Sequence, residues 1–303
     1  MRVEPTAAIP PIELRPGRGA PPGARFTVVI PTWNNLAFAR LCVESIRRNS
    51  AFPHQVVLHV NDGSDGTLEW ARAEGLDHSC SPANAGICFP VNAAASLART
   101  DYVVYMNDDM YVCPGWDAPL WAAIERVGHT RFFFSSTLIQ PTGTDPCTYP
   151  PQDFGDHPDR FREADLVAAA ARLSREDWSG ATWPPNVVHR ELWNLVGGYS
   201  VELTPGFYSD PDFSMKLWKA GVREFRGIGA SKVYHFRQKS TGRIVPNDGR
   251  RQFAVKWGVP SSWLFRRVLR MGEPYAGPLP EMDAAPGRAV ARLKALSMRL
   301  RPW

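Results

Sequence analysis

Three polar clusters, each at the end of a predicted strand, contain the residue types that bind cations. They are PTWNN (31–35), NDGSDGT (61–67) and NDD (107–109). In a parallel sheet Asp62, Asp108 and Asp109 would meet at one edge, where α/β proteins bind their ligands. Adjacent carboxylates repel one another unless a proton or a cation is present, and Mg²⁺ and Mn²⁺ take oxygen ligands of this kind. The NDD segment therefore indicates a metal site, whereas DGSDG is also typical of a simple turn.

Several other site types are excluded by missing motifs. The sequence has no GK dipeptide and hence no P-loop, and PTWNN stands where a dinucleotide-binding protein would have GxGxxG. Neither HExxH nor GxSxG occurs. Without a phosphate-cradling glycine loop, a bound diphosphate would be held mainly by the metal.

The elements that position these clusters alternate between strand and helix. Apolar, β-branched runs at 26–30, 55–60 and 101–106 predict buried strands, and helical patterns separate them. This order implies a parallel sheet with right-handed crossovers. The second half predicts a strand at 131–139, a loop over the crevice at 141–160, helices at 164–176, 191–199 and 209–221, and an extended segment at 222–236.

Composition is that of an ordinary globular protein. The 303 residues include 44% hydrophobic and 21% charged residues, which excludes a mostly disordered or fibrous chain. The net charge of +5 is modest, which argues against nucleic-acid binding. Five cysteines without a CxxC pair favour free thiols in a reducing compartment. No apolar run approaches the roughly 18 residues that span a bilayer, so we expect a cytoplasmic protein, with the inner membrane face as an alternative.

Composition also divides the chain into three predicted parts. Residues 1–24 form a flexible Pro/Gly-rich lead-in, residues 25–240 an α/β domain, and residues 241–303 a basic extension. Near the C-terminus a helical pattern places Ala289, Leu293, Leu296 and Leu300 on one face, with arginines around it. This helix could pack on its own core, on a second subunit in a homodimer, or on an anionic membrane.

Seven segments in order resemble the family 2 glycosyltransferases of the GT-A fold. They are VVIPTWNN (28–35), VNDGSDGT (60–67), NAGICFPVNAA (84–94), VVYMNDD (103–109), HRELWNLVGGYS (189–200), SDPDFSMKLWKAG (209–221) and His235. Each is weak alone, but their order is specific, and they span roughly residues 25–240. The resemblance implies an α/β domain of the GT-A type, with a mostly parallel twisted sheet flanked by helices and a C-terminal helical extension.

The resemblance also implies the donor site. Trp33 would stack on the nucleotide base and Asp62 would accept a hydrogen bond from the ring NH, while Asn84 would reach the nucleotide or the sugar. The expected donor-binding residues are Pro31, Thr32, Trp33, Asp62, Asn84, Asn107 and Asp108. A core position for Trp33 and a turn or cap role for Asn84 are the structural alternatives.

NDD corresponds to the DxD-like motif of the family, with Asn107 where many relatives have Asp. By resemblance, Asp109 and His235 would bind Mn²⁺ or Mg²⁺, and neutral imidazole suits Mn²⁺ better. A structural role is the alternative for His235.

SDPDF resembles the acidic motif that begins the acceptor-side helix. Asp210 aligns with the general base, although Ser209 replaces the commoner Glu; helix capping is the alternative. Trp183 and Asp212 are expected on the acceptor side.

The implied activity is inverting transfer of a sugar from a UDP-, dTDP- or GDP-linked donor. The acceptor would be a hydroxyl of a glycan or lipid-linked glycoconjugate, in polysaccharide or glycoconjugate synthesis. A sugar nucleotidyltransferase is an alternative, but it would normally have a Gly-rich, basic loop after the first strand. A non-catalytic glycan- or nucleotide-binding protein with this fold is another alternative. Such a protein would have lost its catalytic acids, whereas Asp109 and Asp210 are present.

Overall fold

The computed structural model describes residues 9–143, 145–238, 244–282 and 285–300. The strands are β1 (Glu13–Arg15), β2 (Phe26–Trp33), β3 (Gln55–Asn61), β4 (Asp77–Ser81), β5 (Tyr102–Tyr105), β6 (Met110–Val112), β7 (Phe132–Ile139), β8 (Trp178–Ser179), β9 (Asn186–His189) and β10 (Glu224–His235). The helices are α1 (Leu36–Asn49), α2 (Thr67–Ala73), α3 (Cys88–Ala95), α4 (Asp117–Val127), α5 (Glu163–Arg172), α6 (Arg190–Val196), α7 (Ser209–Lys219), α8 (Gly249–Trp257), α9 (Ser261–Trp263) and α10 (Arg288–Arg299).

The strands form one sheet in the order β1-β4-β3-β2-β5-β9-β7-β10-β6, with β8 paired to β10. Strands β4, β3, β2 and β5 are parallel, and β9 runs antiparallel between β5 and β7. Strand β7 therefore runs in the same direction as β5, and β10 is parallel to β7. As a result, six of the ten strands in the described part of the chain share one direction. The mostly parallel α/β sheet expected for the GT-A fold is confirmed.

The sheet lies between two layers of helices because its central strands are apolar on both faces. In β2, Val28 and Ile30 pack with α1 and α4, whereas Val29 between them packs with α3, α6 and α7. This follows from the two-residue period of a strand. Both faces are buried, which explains the continuous apolar run FTVVI. Among the described residues, no helix is long and apolar enough to cross a membrane.

The predicted lead-in contains a short strand within residues 9–24. Strand β1 pairs antiparallel with β4, placing Leu14 opposite Ser79, and the Gly17 amide donates to Asp77 Oδ1 at 2.6 Å. Proline-rich composition concealed a three-residue edge strand, which is held by backbone pairing and not by buried side chains. Residues 1–8 lie outside the described part.

Much of the basic C-terminal extension is integral to the core. Phe253 of α8, and Leu264 and Leu269 after α9, are fully buried in the same cluster as Phe213 of α7. Helix α9 continues as a π-helical turn over Leu264–Val268. The predicted division at residue 240 falls in 239–243, outside the described residues. It does not separate two packing units, because buried side chains on both sides form one core.

Candidate active site

One pocket, with a volume of about 860 Å³, brings together ten of the twelve predicted site residues. They are Pro31, Thr32, Trp33, Asn84, Asn107, Asp108, Asp109, Trp183, Asp210 and His235. The pocket lies where β2 and β5 end and α7 begins, at the carboxyl ends of parallel strands. Its volume is in the range of ligand pockets.

The acidic pair sits at the base of this pocket, opposite the end of β10. The antiparallel pairing of β10 with β6 sets His235 opposite Met110, directly after Asp109. As a result, His235 Nε2 lies 3.3 Å from Asp109 Oδ2. The same oxygen accepts a hydrogen bond from the backbone N–H of Gln238 at 2.8 Å. Two residues far apart in the sequence are thus joined by one strand pairing.

Asp108 is the second acid of the pair. Its Oδ2 accepts a hydrogen bond from Asn35 Nδ2 at 3.1 Å. Burial, together with the neighbouring charge of Asp109, raises the pKa of Asp108 to about 7. An uncompensated negative charge is therefore disfavoured here, and a cation in the pocket would relieve that cost.

The donor set at this point fits a divalent cation. A carboxylate and an imidazole nitrogen suit Mn²⁺ and other first-row metals. In the described part of the chain, however, no three His, Cys, Asp or Glu residues are grouped as metal ligands. Asp109 and His235 are therefore two candidate ligands, and a metal held by them would need further donors from outside this set.

Asp210 lies in the first turn of α7 and faces the same pocket. The N-cap of this helix is Tyr208, not Asp210. Tyr199 donates its hydroxyl to Asp210 Oδ1 at 2.8 Å, and the Tyr199 ring stacks on Phe213 with centroids 4.8 Å apart. Burial raises the pKa of Asp210 to about 6, and the hydrogen bond from Tyr199 opposes that shift. The result is a carboxylate held in a fixed orientation and suited to accept a proton near neutral pH.

The pocket also contains residues that the sequence analysis did not single out. Arg237 lines it, and its Nη1 donates to the Thr142 carbonyl at 2.6 Å, so a guanidinium is held at the wall. Tyr199 does not line the pocket but hydrogen-bonds to Asp210, and it lies within a matching segment, whereas Arg237 is two residues after His235. Proximity to those motifs was the available signal, but neither residue had a distinguishing pattern of its own.

Trp33, Asn84 and Trp183 all line the pocket, as expected for ligand-binding residues. Trp33 is half-buried at the end of β2 and lines the pocket. Asn84 lines it too, although its Oδ1 accepts a local hydrogen bond from the Gly86 amide at 2.9 Å, as in a turn. The Trp183 ring packs against Phe265 with centroids 5.5 Å apart while remaining part of the pocket wall.

Asp62 is not among the residues that line the pocket. It follows β3 in a left-handed backbone conformation, with φ of 66°. Its Oδ2 accepts a hydrogen bond from Asn34 Nδ2 at 2.9 Å, and the same Asn34 accepts one from the Gly63 amide. This geometry favours the turn interpretation of DGSDG over the expected base contact. The neighbouring Asn61 lines the pocket instead.

The expected acceptor contact of Asp212 is also corrected. Its side chain is fully buried and does not line the pocket. The carboxylate accepts hydrogen bonds from Ser200 Oγ at 2.5 Å and Trp257 Nε1 at 2.8 Å, and pairs with Lys256 Nζ at 2.8 Å. Asp212 therefore ties α8 to α7 and has no free oxygen facing a ligand.

We expect Asp212→Ala to destabilise the protein by about 3 kcal/mol, because three donors lose a fully buried acceptor. Glu202 is the matched control: it also pairs with Lys256 at 2.8 Å, but its side chain is 56% exposed. Glu202→Ala should cost less than about 1 kcal/mol. Chemical denaturation of both variants measures the difference, and equal losses would contradict the anchoring role of Asp212.

The sequence is similar to known proteins over part of its length. Residues 27–145 match the sequence profile of Glycosyl transferase family 2. An uncharacterized protein, y4gI, of Sinorhizobium fredii is 28% identical over 250 residues, covering 75% of this chain. The chain spans about a quarter of that relative, since the match covers 26% of it.

Two solved structures share the fold. The structure of S. aureus TarS 1-349 in complex with UDP-GlcNAc has a TM-score of 0.53 at 17% identity, covering 77% of this chain and 66% of that one. The structure of GalNAc-T7 with UDP, GalNAc and Mn²⁺ has a TM-score of 0.52 at 18% identity, covering 75% and 45%. Residues 27–145 therefore resemble the family 2 glycosyltransferases, and the sheet shares the GT-A fold of these two structures.

Proposed function

We propose that this pocket transfers a sugar, with inversion, from a nucleoside diphosphate sugar to an acceptor hydroxyl. The observation that supports it most is that the Asp109–His235 pair and the Asp210 carboxylate line one pocket. UDP is the nucleotide we test first, because the solved structures of similar fold contain UDP-GlcNAc or UDP. The acceptor class we propose is a glycan or a lipid-linked glycoconjugate, in polysaccharide or glycoconjugate synthesis.

Donor binding would use the wall formed by β2 and β5. Trp33 offers an aromatic face to the base, and such stacking contributes ~1 to 3 kcal/mol per base. Asn84, Asn107 and Asp108 offer polar groups for the ribose and the sugar. Arg237, which also lines the pocket, adds a positive charge that favours a diphosphate.

Asp109 and His235 would hold a divalent cation, Mn²⁺ or Mg²⁺. When bound, the ion supplies positive charge that stabilises the departing diphosphate. The imidazole donor favours Mn²⁺. Asn107 in place of Asp leaves one charge fewer in the NDD segment, but Asp109 keeps its position beside His235.

Asp210 would act as the general base. Its carboxylate takes the proton of the acceptor hydroxyl while the oxygen attacks the anomeric carbon and the bond to the diphosphate breaks. Attack opposite the leaving group inverts the anomeric centre, so no carboxylate nucleophile is required. Trp183 would bind a ring of the acceptor, since aromatic faces pack on apolar faces.

A cytoplasmic location is supported by the thiols. Cys42, Cys80, Cys88, Cys113 and Cys147 are all free and buried. Unpaired cysteines are typical of proteins in reducing compartments.

Product analysis tests the proposal. Purified protein is incubated with UDP-sugars and Mn²⁺ plus candidate glycan acceptors, and UDP release and the anomeric configuration of the product are measured. We expect UDP release that EDTA abolishes and a product of inverted configuration. A product of retained configuration, or full turnover in EDTA, would contradict the mechanism.

The pH dependence of this reaction follows from Asp210. Because the base must be deprotonated, kcat/KM should rise with pH through the pKa of about 6 and level off above it. Tyr199→Phe removes a hydrogen bond that stabilises the carboxylate, so the acid limb should move to higher pH. A pH–rate profile of both proteins measures the shift; an unchanged or lower apparent pKa in the variant would contradict the role of Tyr199.

A further inference from the structure

Helix α10 has two separate apolar faces. Ala291 and Ala295 are 5% and 3% exposed, and the helix packs on α8. Leu293, Leu296 and Leu300 are instead 67%, 51% and 76% exposed. At about 100° per residue, these leucines lie about 150° around the helix axis from the two alanines. The second face, the leucine face, therefore points away from the protein.

Basic residues border the leucine face on both sides. At about 100° per residue, Arg292 and Arg299 fall between the leucines and the alanine face on one side, and Lys294 falls on the other. All three are exposed. Residues 285–303 contain five Lys and Arg residues and no Asp or Glu. The leucine face is therefore surrounded by positive charge without an acidic partner on the same segment.

The charges around the leucine face favour a lipid surface over a second copy of the protein as its binding partner. Two copies meeting through their leucine faces would bring like charges together, with no acids on either helix to pair with them. A lipid surface with anionic headgroups offers apolar chains for the leucines and phosphates for the cations. We propose that α10 binds the surface of an anionic bilayer, lying in the interface with Leu293, Leu296 and Leu300 buried.

This surface is independent of the proposed transfer reaction. None of the three leucines lines the pocket that contains Asp109 and Asp210. Helix α10 packs on α8, which in turn contacts α7. Membrane binding through α10 can therefore be tested separately from nucleotide binding.

Vesicle cosedimentation of the full chain tests the proposal. One vesicle set contains phosphatidylglycerol and phosphatidylcholine in equal parts, and the other contains phosphatidylcholine alone. We expect binding to the anionic vesicles at least about tenfold stronger, and weakened by high salt. The triple variant Leu293→Ser, Leu296→Ser, Leu300→Ser should lose this binding. Leu195→Ser, at another exposed leucine (73% exposed), should keep it.

A second variant separates charge from apolar contact and does not alter the leucines. Arg292→Glu, Lys294→Glu, Arg299→Glu should lose the preference for anionic vesicles while binding nucleotide as the unmodified protein does. Absence of vesicle binding by the unmodified protein, or equal binding by the leucine variant, would overturn the proposal. Light scattering that shows a dimer dissociated by the leucine substitutions, without vesicle binding, would instead identify a contact between copies.

Discussion

Asp210→Asn is expected to lower kcat by about 10²- to 10⁴-fold, the usual contribution of a general base. The amide cannot take up the proton of the acceptor hydroxyl. It keeps the size of the carboxylate and an oxygen that can still accept the hydrogen bond from Tyr199. Nucleotide affinity should therefore stay within about twofold of the unmodified protein, because an interaction confined to the transition state affects kcat and not binding.

Two measurements are needed for this variant. Initial rates at saturating donor give kcat, and calorimetry with nucleotide gives the affinity. Asp165→Asn is the control, since it removes the same charge from an exposed side chain of α5, 66% accessible, which does not line the pocket. Normal turnover by Asp210→Asn would remove Asp210 from the mechanism.

Asp109→Ala is expected to weaken Mn²⁺-dependent nucleotide binding by on the order of 100-fold. The substitution removes the carboxylate that lies 3.3 Å from His235 and leaves a single predicted metal ligand. Binding measured in EDTA should change little, because the contacts of the base do not involve Asp109. The loss should therefore appear only when the metal is present.

Calorimetric titration with and without Mn²⁺ separates these two effects. Asp159→Ala, at a side chain that is 84% exposed, is the control for loss of a negative charge. If Asp109→Ala weakened binding equally in Mn²⁺ and in EDTA, the residue would support the fold of the pocket and not a metal.

The central fold could be predicted because its signals are local. The alternation of β2, α1 and β3 is visible in apolar runs and helical periodicity, and the NDD cluster begins two positions after the last residue of β5. The meeting of Asp109 with His235 has a different origin. It depends on the antiparallel pairing of β10 with β6, and only the order of motifs characteristic of the family indicated it in advance.

Asp62 and Asp212 show why the rest could not be predicted. Each is an acid in a segment that resembles the family, and the sequence does not indicate which way a side chain points. Asp212 is two positions from Asp210, and its partners Lys256 and Trp257 lie on a helix more than forty residues further along. Their approach is set by tertiary packing of α8 on α7, as is the burial of Phe253.

The most direct test is calorimetric titration of the purified protein with UDP, dTDP, GDP and CDP, each with Mn²⁺ and with EDTA. We predict that one nucleotide, UDP first among them, binds in Mn²⁺ and loses most of its affinity in EDTA. That result would identify the nucleotide of the donor and locate metal dependence in the pocket of Asp109 and His235. No binding of any of the four nucleotides in Mn²⁺ would contradict the proposal that this pocket is a nucleotide-sugar site.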